Sequence, residues 1–138
     1  LELKATEIRE DIIKMLVTAS SGHSAGPLGM TDVFTALYFG SVLNYDPSQP
    51  WNPKRDRVIL SNGHICPVWY PTLAHAGYFP ISELTTLRQL NSRLQGHPHF
   101  PELPGEKILV DRWVKDCHKL SVTPLLGAWM GLITGCIV

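Results

Sequence analysis

Arg57-Val58-Ile59-Leu60-Ser61, running straight into Asn62-Gly63-His64, decides how this chain is to be read. Val58, Ile59 and Leu60 are consecutive and apolar, two of them β-branched, and this predicts a short strand buried on both faces. Such a strand needs neighbours on both edges, and parallel neighbours arrive through helical crossovers. Asn62-Gly63 then turns the chain, so His64 falls just past the strand end and at the start of a helix. The fold class that follows is α/β, a parallel sheet flanked by helices. In open sheets of that class, ligands bind at the carboxyl ends of strands. Helix amino termini there favour phosphate, through their N–H groups and positive dipole ends.

The flanking sequence is helix-rich. Leu3, Ile8, Ile12, Met15, Leu16 and Ala19 recur near helical spacing, with Glu2, Glu7, Arg9, Glu10 and Lys14 mostly elsewhere on the wheel, so residues 2–19 read as an amphipathic helix. The segment 20–29 holds Gly22, Gly26, Gly29 and Pro27 and reads as non-helical. Thr31 is then expected to cap a second helix, with Asp32 in its first turn and Val33, Phe34, Leu37, Tyr38 and Phe39 on its buried side. Asn44 to Asp56 carries three prolines and reads as a loop. A third helix is expected over 65–76, closed by Gly77; Pro67 suits its first turn, and Pro71 should kink or shorten it. Ser82 is expected to cap a fourth helix through Leu90, and Gln95-Gly96-His97-Pro98-His99 is another turn. Residues 107–138 receive no assignment and form a divergent tail behind a partial domain at 1–106. One strand among four helices is an unfinished sheet, whose other strands are expected downstream.

Composition excludes several classes of function. The 138 residues suit one domain, and 44% apolar with 17% charged residues is a globular composition. Twelve Lys and Arg balance twelve Asp and Glu, so no basic face marks a nucleic acid or an anionic membrane as partner. The apolar runs fall short of the ~20 residues of a membrane helix, and no signal-peptide order opens the chain. Cys66, Cys117 and Cys136 are odd in number and lack metal-ligand spacing, which suits a reduced, cytoplasmic chain. The chain opens at Leu1 directly in helical periodicity and stops at Ile137-Val138 in an apolar stretch, so both ends are expected to be cuts.

The chemistry concentrates in the histidines. His23, His64 and His97 each follow a glycine (Gly22, Gly63, Gly96), and each lies in a turn between regular segments. Glycine lets backbone approach a ligand closely and leaves the next imidazole unscreened. A histidine at a strand end can donate to a phosphate oxygen and exchange protons near neutral pH. A single Gly-His usually marks only a surface turn; three in one unfinished α/β domain make a site as good a reading as three turns. Histidine metal ligation is the rival, but no pair has i, i+4 spacing or carboxylate company. His75 and His118 suit surface or helix-end roles, and His99 is ambiguous, two residues beyond His97.

These segments resemble a known family. Arg9, Ile13 and Ser21-Gly22-His23-Ser24-Ala25-Gly26-Pro27-Leu28-Gly29 resemble the amino-terminal signature of transketolases. Asp56 to His64 is similar to that family's second motif, and Leu87-Arg88-Gln89 with Leu94-Gln95-Gly96-His97-Pro98 to its third. All three come in family order over about residues 1–105. The related deoxyxylulose-phosphate synthases fit less well, because their second histidine motif differs from Ser-Asn-Gly-His. The resemblance implies an incomplete thiamine-diphosphate-binding fold. It implies transfer of a two-carbon ketol unit from a ketose phosphate to an aldose phosphate, in the pentose phosphate pathway. It also implies thiamine diphosphate held through a divalent cation, Mg or Ca, and a homodimer or a complementary carboxy-terminal subunit. On this resemblance His23 would contact donor hydroxyls and assist proton transfer. His64, with Gly63, would bind the diphosphate, and His97 would reach both cofactor and the donor's terminal hydroxyl.

The departures are specific. Ser24 stands where the family usually has Pro, His99 where an acidic residue is common, and Pro71 lies inside a family helix. Thr123-Pro124-Leu125-Leu126-Gly127 only faintly echoes the family's Thr-Gly-Pro-Leu-Gly turn, and Lys107 to Leu120 has no family counterpart, as a frameshifted or degraded gene would explain. The Gly-Asp-Gly motif and later Asn that hold the cation are absent, so no metal ligand is assigned here. Two other expectations follow: a truncated, inactive relic that at most associates with intact chains, or a relative of dihydroxyacetone synthase.

Overall fold

The computed structural model describes residues 1–58, Leu60, 62–98 and Leu103. Three α-helices carry the described chain: α1 (Glu2–Ala19), α2 (Ala25–Phe39) and α3 (Cys66–His75). A 3₁₀ turn, Gly63–Ile65, leads into α3, and a second 3₁₀ helix covers Ile81–Thr86.

Helix α1 has the predicted bounds. Ala5, Ile8, Ile12 and Met15 face the core, and Ser20 closes the helix in the left-handed region at φ 50°, its N–H bonded to the Val17 carbonyl. Leu3 is off this stripe and exposed. It precedes Ile8 by five residues, which places it about 140° round the helix.

Helix α2 begins six residues before the expected cap. Ala25, Gly26, Pro27, Leu28 and Gly29 are its first residues, not a break. Pro27 lies in the first turn, where a backbone N–H would have no intrahelical acceptor, so its missing donor costs nothing. Thr31 is buried inside the helix, and its hydroxyl donates back to the Pro27 carbonyl at 3.1 Å. Phe34, Leu37 and Tyr38 are buried as expected, while Val33 faces solvent. Gly26 is where α2 meets the next element: a β-carbon there would lie 3.0 Å from Ile65 Cγ2.

Helix α3 is the centre of the molecule, buried from Cys66 to Ala74. Pro67 occupies its first turn and Pro71 does not end it, for the helix runs on to His75. Gly77 follows at φ 91°, the left-handed position expected to close it. Phe34 and Trp69 pack with ring centroids 6.3 Å apart, and the buried Trp69 Nε1–H donates to Tyr38 Oη at 3.0 Å. Burial pushes the Tyr38 phenol far above its ordinary range, so it stays neutral. On the flank facing α1, His75 Nε2 lies 2.8 Å from Asp11 Oδ2, which accounts for the helix-end role expected of this histidine.

The fourth expected helix is a short 3₁₀ helix, and Ser82 lies inside it without capping it. The Thr85 and Thr86 hydroxyls donate to the Ser82 and Glu83 carbonyls, three residues back, in competition with α-helical bonding. Leu87 leaves the helical region at ψ 127°, and Arg88 and Asn91 are left-handed at φ 60° and 66°, so no helix reaches Leu90. Arg57, Val58 and Leu60 belong to no strand among the described residues, although Val58 and Leu60 are buried in the core. A strand is defined by hydrogen bonding to a neighbour, and the described residues supply none. Loop 44–56 is as predicted, its ends tied by Asp56 Oδ2 accepting from the Asn44 N–H at 2.8 Å. Among the described residues no helix is long and apolar enough to cross a membrane.

Tyr38→Phe should strand the buried Trp69 N–H and cost about 1–3 kcal/mol of folding free energy. Urea unfolding followed by tryptophan fluorescence should show a lower midpoint with an unchanged slope.

Candidate functional site

Two of the three predicted histidines meet directly. Gly22 holds φ 129°, and a β-carbon there would sit 2.5 Å from Leu16 Cδ2, so the turn folds tightly back on the end of α1. His23 leaves that turn, while His64 lies in the 3₁₀ turn entering α3. Their ring centroids are 5.3 Å apart, tilted by 57°. Both imidazoles are exposed, whereas Gly63 beside His64 is buried.

His97 comes to the same region through its neighbours. The Cys66 thiol, two residues after His64, donates to the Gly96 carbonyl at 3.1 Å, and Tyr70 Oη donates to the Gln95 carbonyl at 2.6 Å. These bonds seat the third turn on the opening turns of α3. Arg88 adds a link to the first turn, donating from Nη1 to Ser21 Oγ at 2.7 Å. The ring of His97 is itself exposed and makes no aromatic contact among the described residues. His99 and His118 lie outside the described residues.

The three Gly-His segments, 20–29 with the first residues of α2, 62–66 and 95–98, contain no Asp or Glu. They offer imidazole N–H donors, with the Arg88 guanidinium alongside, and this donor set suits an anion such as a diphosphate. Among the described residues no three His, Cys, Asp or Glu side chains are placed together to hold a metal ion. Asn62 Oδ1, beside Gly63, is buried without a hydrogen-bond partner among the described residues, an acceptor fit for a donor from outside them.

Sequence reasoning found the histidines but missed what joins them. Arg88, Ser21, Tyr70 and Cys66 connect positions 25 to 67 residues apart, and no local pattern announces such contacts. The only available signal was that Arg88 lies within a segment resembling a family motif.

Residues 2–110 match the family described as transketolase, thiamine diphosphate binding domain. The chain is similar to a transketolase of Buchnera aphidicola, 46% identical over 103 residues, which cover 73% of this chain and 15% of that protein. It is 35% identical over 108 residues to one of the subunits of the apulose-4-phosphate transketolase from Phocaeicola vulgatus, covering 78% of this chain and 38% of that one. Among solved structures it superposes on the transketolase of Leishmania mexicana with TM-score 0.71 and 35% identity, over 76% of this chain and 16% of that one. The chain thus spans about 15% of the length of the Buchnera aphidicola transketolase and of a transketolase of Escherichia coli.

Gly22→Ala should be destabilising, since alanine resists the backbone angle and its methyl would strike Leu16. A loss of about 1–3 kcal/mol is expected, read as a lower thermal midpoint.

Proposed function

The chain belongs to the transketolase family through its thiamine-diphosphate-binding domain, and on that premise we propose that it is the amino-terminal part of a ketol transferase acting on sugar phosphates. The observation that carries this reading is the 5.3 Å approach of the His23 and His64 rings, in turns without a carboxylate. Thiamine diphosphate, when bound, supplies the nucleophilic carbon and electron sink for breaking and remaking a bond beside a carbonyl. This chain's residues bind, orient and move protons. His64 donates to the diphosphate, and Gly63 lets backbone come close beside it. His23 donates to hydroxyls of the ketose phosphate and relays a proton during cleavage. His97 reaches cofactor and the donor's terminal hydroxyl.

The remaining parts of the machine lie beyond the described residues. We assign the divalent cation, magnesium in the first instance, to ligands outside them, because the three turns hold no carboxylate. Residues 57–61 enter a parallel sheet whose other strands come from further along a longer chain; the burial of Val58 and Leu60 supports that placement. On this reading residues 1–106 are the partial domain, the assembled enzyme is a homodimer, and it works in the cytoplasm in the pentose phosphate pathway. A second arrangement, with a complementary carboxy-terminal subunit in place of one long chain, is supported by the Phocaeicola relative, whose name marks it as one of several subunits.

The 138-residue chain alone should show no ketol transfer when assayed with thiamine diphosphate, magnesium and a ketose-phosphate donor; turnover would contradict this. In a longer chain that includes this sequence, His64→Ala should weaken thiamine diphosphate binding by about tenfold to a hundredfold, the worth of a hydrogen bond to a charged group. His97→Ala should lower kcat more than it raises KM. Calorimetric titration and steady-state kinetics read the two effects, and wild-type values in both variants would remove the role assignments.

A further inference from the structure

Arg88, an exposed side chain near the three turns, is held by several constraints at once. Its backbone is left-handed at φ 60°, a conformation that a residue with a β-carbon keeps only when its surroundings enforce it. Its N–H donates to the Leu94 carbonyl at 2.8 Å, closing the loop that leads into the third turn. Its guanidinium then lies along Gly96. A β-carbon at that glycine would fall 2.7 Å from Nε, 2.8 Å from Nη2 and 3.0 Å from Cζ, so the near side of the group rests where any other residue would place a side chain. The far side reaches Ser21, with Nη1 to Oγ at 2.7 Å. Among the described residues Arg88 has no carboxylate partner, so hydroxyl and glycine set its place, not an ion pair.

From this we propose that Arg88 is a positioning residue. Its guanidinium, laid over Gly96 and bonded to Ser21, holds the first Gly-His turn at a fixed distance from the third and so keeps the His23 ring against that of His64. The third turn is already anchored to α3 by the Cys66 and Tyr70 bonds, and His64 stands at the start of that helix. Among the described residues Ser20 to Ser24 make no hydrogen bond to α3, and the Ser21–Arg88 bond ties them to the third turn. An arginine suits this better than a lysine, because a planar fork can lie flat on a glycine and still present a donor beyond it.

What the aligned imidazoles do rests on the proposed function, but the alignment is testable without cofactor. In the 138-residue chain, the through-space proton signal between the His23 and His64 rings reports their approach directly. Ser21→Ala and Arg88→Met should each abolish that signal while leaving the thermal midpoint and the signals of the α1–α3 core in place. The double variant should look like either single one, and Arg88→Lys should restore the signal only in part. Ser21→Ala removes one hydroxyl, so it remains informative if Arg88→Met fails to fold. An intact ring signal in Ser21→Ala, or its loss only together with the core signals, would overturn the proposal. Because no cofactor is present, such a failure is distinct from failure of thiamine diphosphate binding.

Discussion

A helix that buries nine consecutive residues, as α3 does from Cys66 to Ala74, has no face to give to water. Every side of it must be covered, and every polar atom it carries inward must find a partner, because an unmet donor there costs more than a bond gains. The rest of the described chain answers these two demands. Helices α1 and α2 cover two sides with Ile8, Ile12, Met15 and Phe34, and Leu84, Leu87 and Leu94 close the remainder. Trp69 takes its acceptor from Tyr38 of α2, Thr72 returns its hydroxyl to Val68, and Tyr70 and Cys66 reach out to Gln95 and Gly96. The last two bonds also bring the third Gly-His turn to the helix end where His64 stands. Core satisfaction and site assembly are here the same contacts.

What could be read in the sequence divides along the range of the forces involved. Helix α1 was legible to the residue, since a periodic apolar stripe is a local signal, although Leu3 shows that one apolar residue can fall off the stripe. The start of α2 was misplaced because glycine and proline were counted as breakers without regard to position. Pro27 in a first turn is harmless, and Gly26 serves the close packing of Ile65. Ser82 was misread because threonines at 85 and 86 turn their hydroxyls to the backbone and favour a tighter helix. The strand at 57–61 rested on a short, consecutive apolar run rich in β-branched residues. Its burial is seen at Val58 and Leu60, but pairing depends on neighbours that these described residues do not include.

The candidate site was legible as three separate Gly-His turns and not as an arrangement. Glycine before histidine marks residues whose rings can stand clear, and His23 and His64 do stand clear and together. Their nearness depends on links spanning dozens of residues, which periodicity cannot carry. The absence of acid from all three turns is equally visible in the sequence.

Leu103 is wholly buried in the same core as α1 and α3, although it lies five residues past the third turn. The interior is therefore sealed by a residue that follows the last chemical motif, much as a cork follows what it stoppers. A shorter piece ending at Pro98 would keep all three imidazoles yet leave an oily socket in that core open to water. The smallest unit that can present these turns on a sealed core is longer than the stretch that contains them.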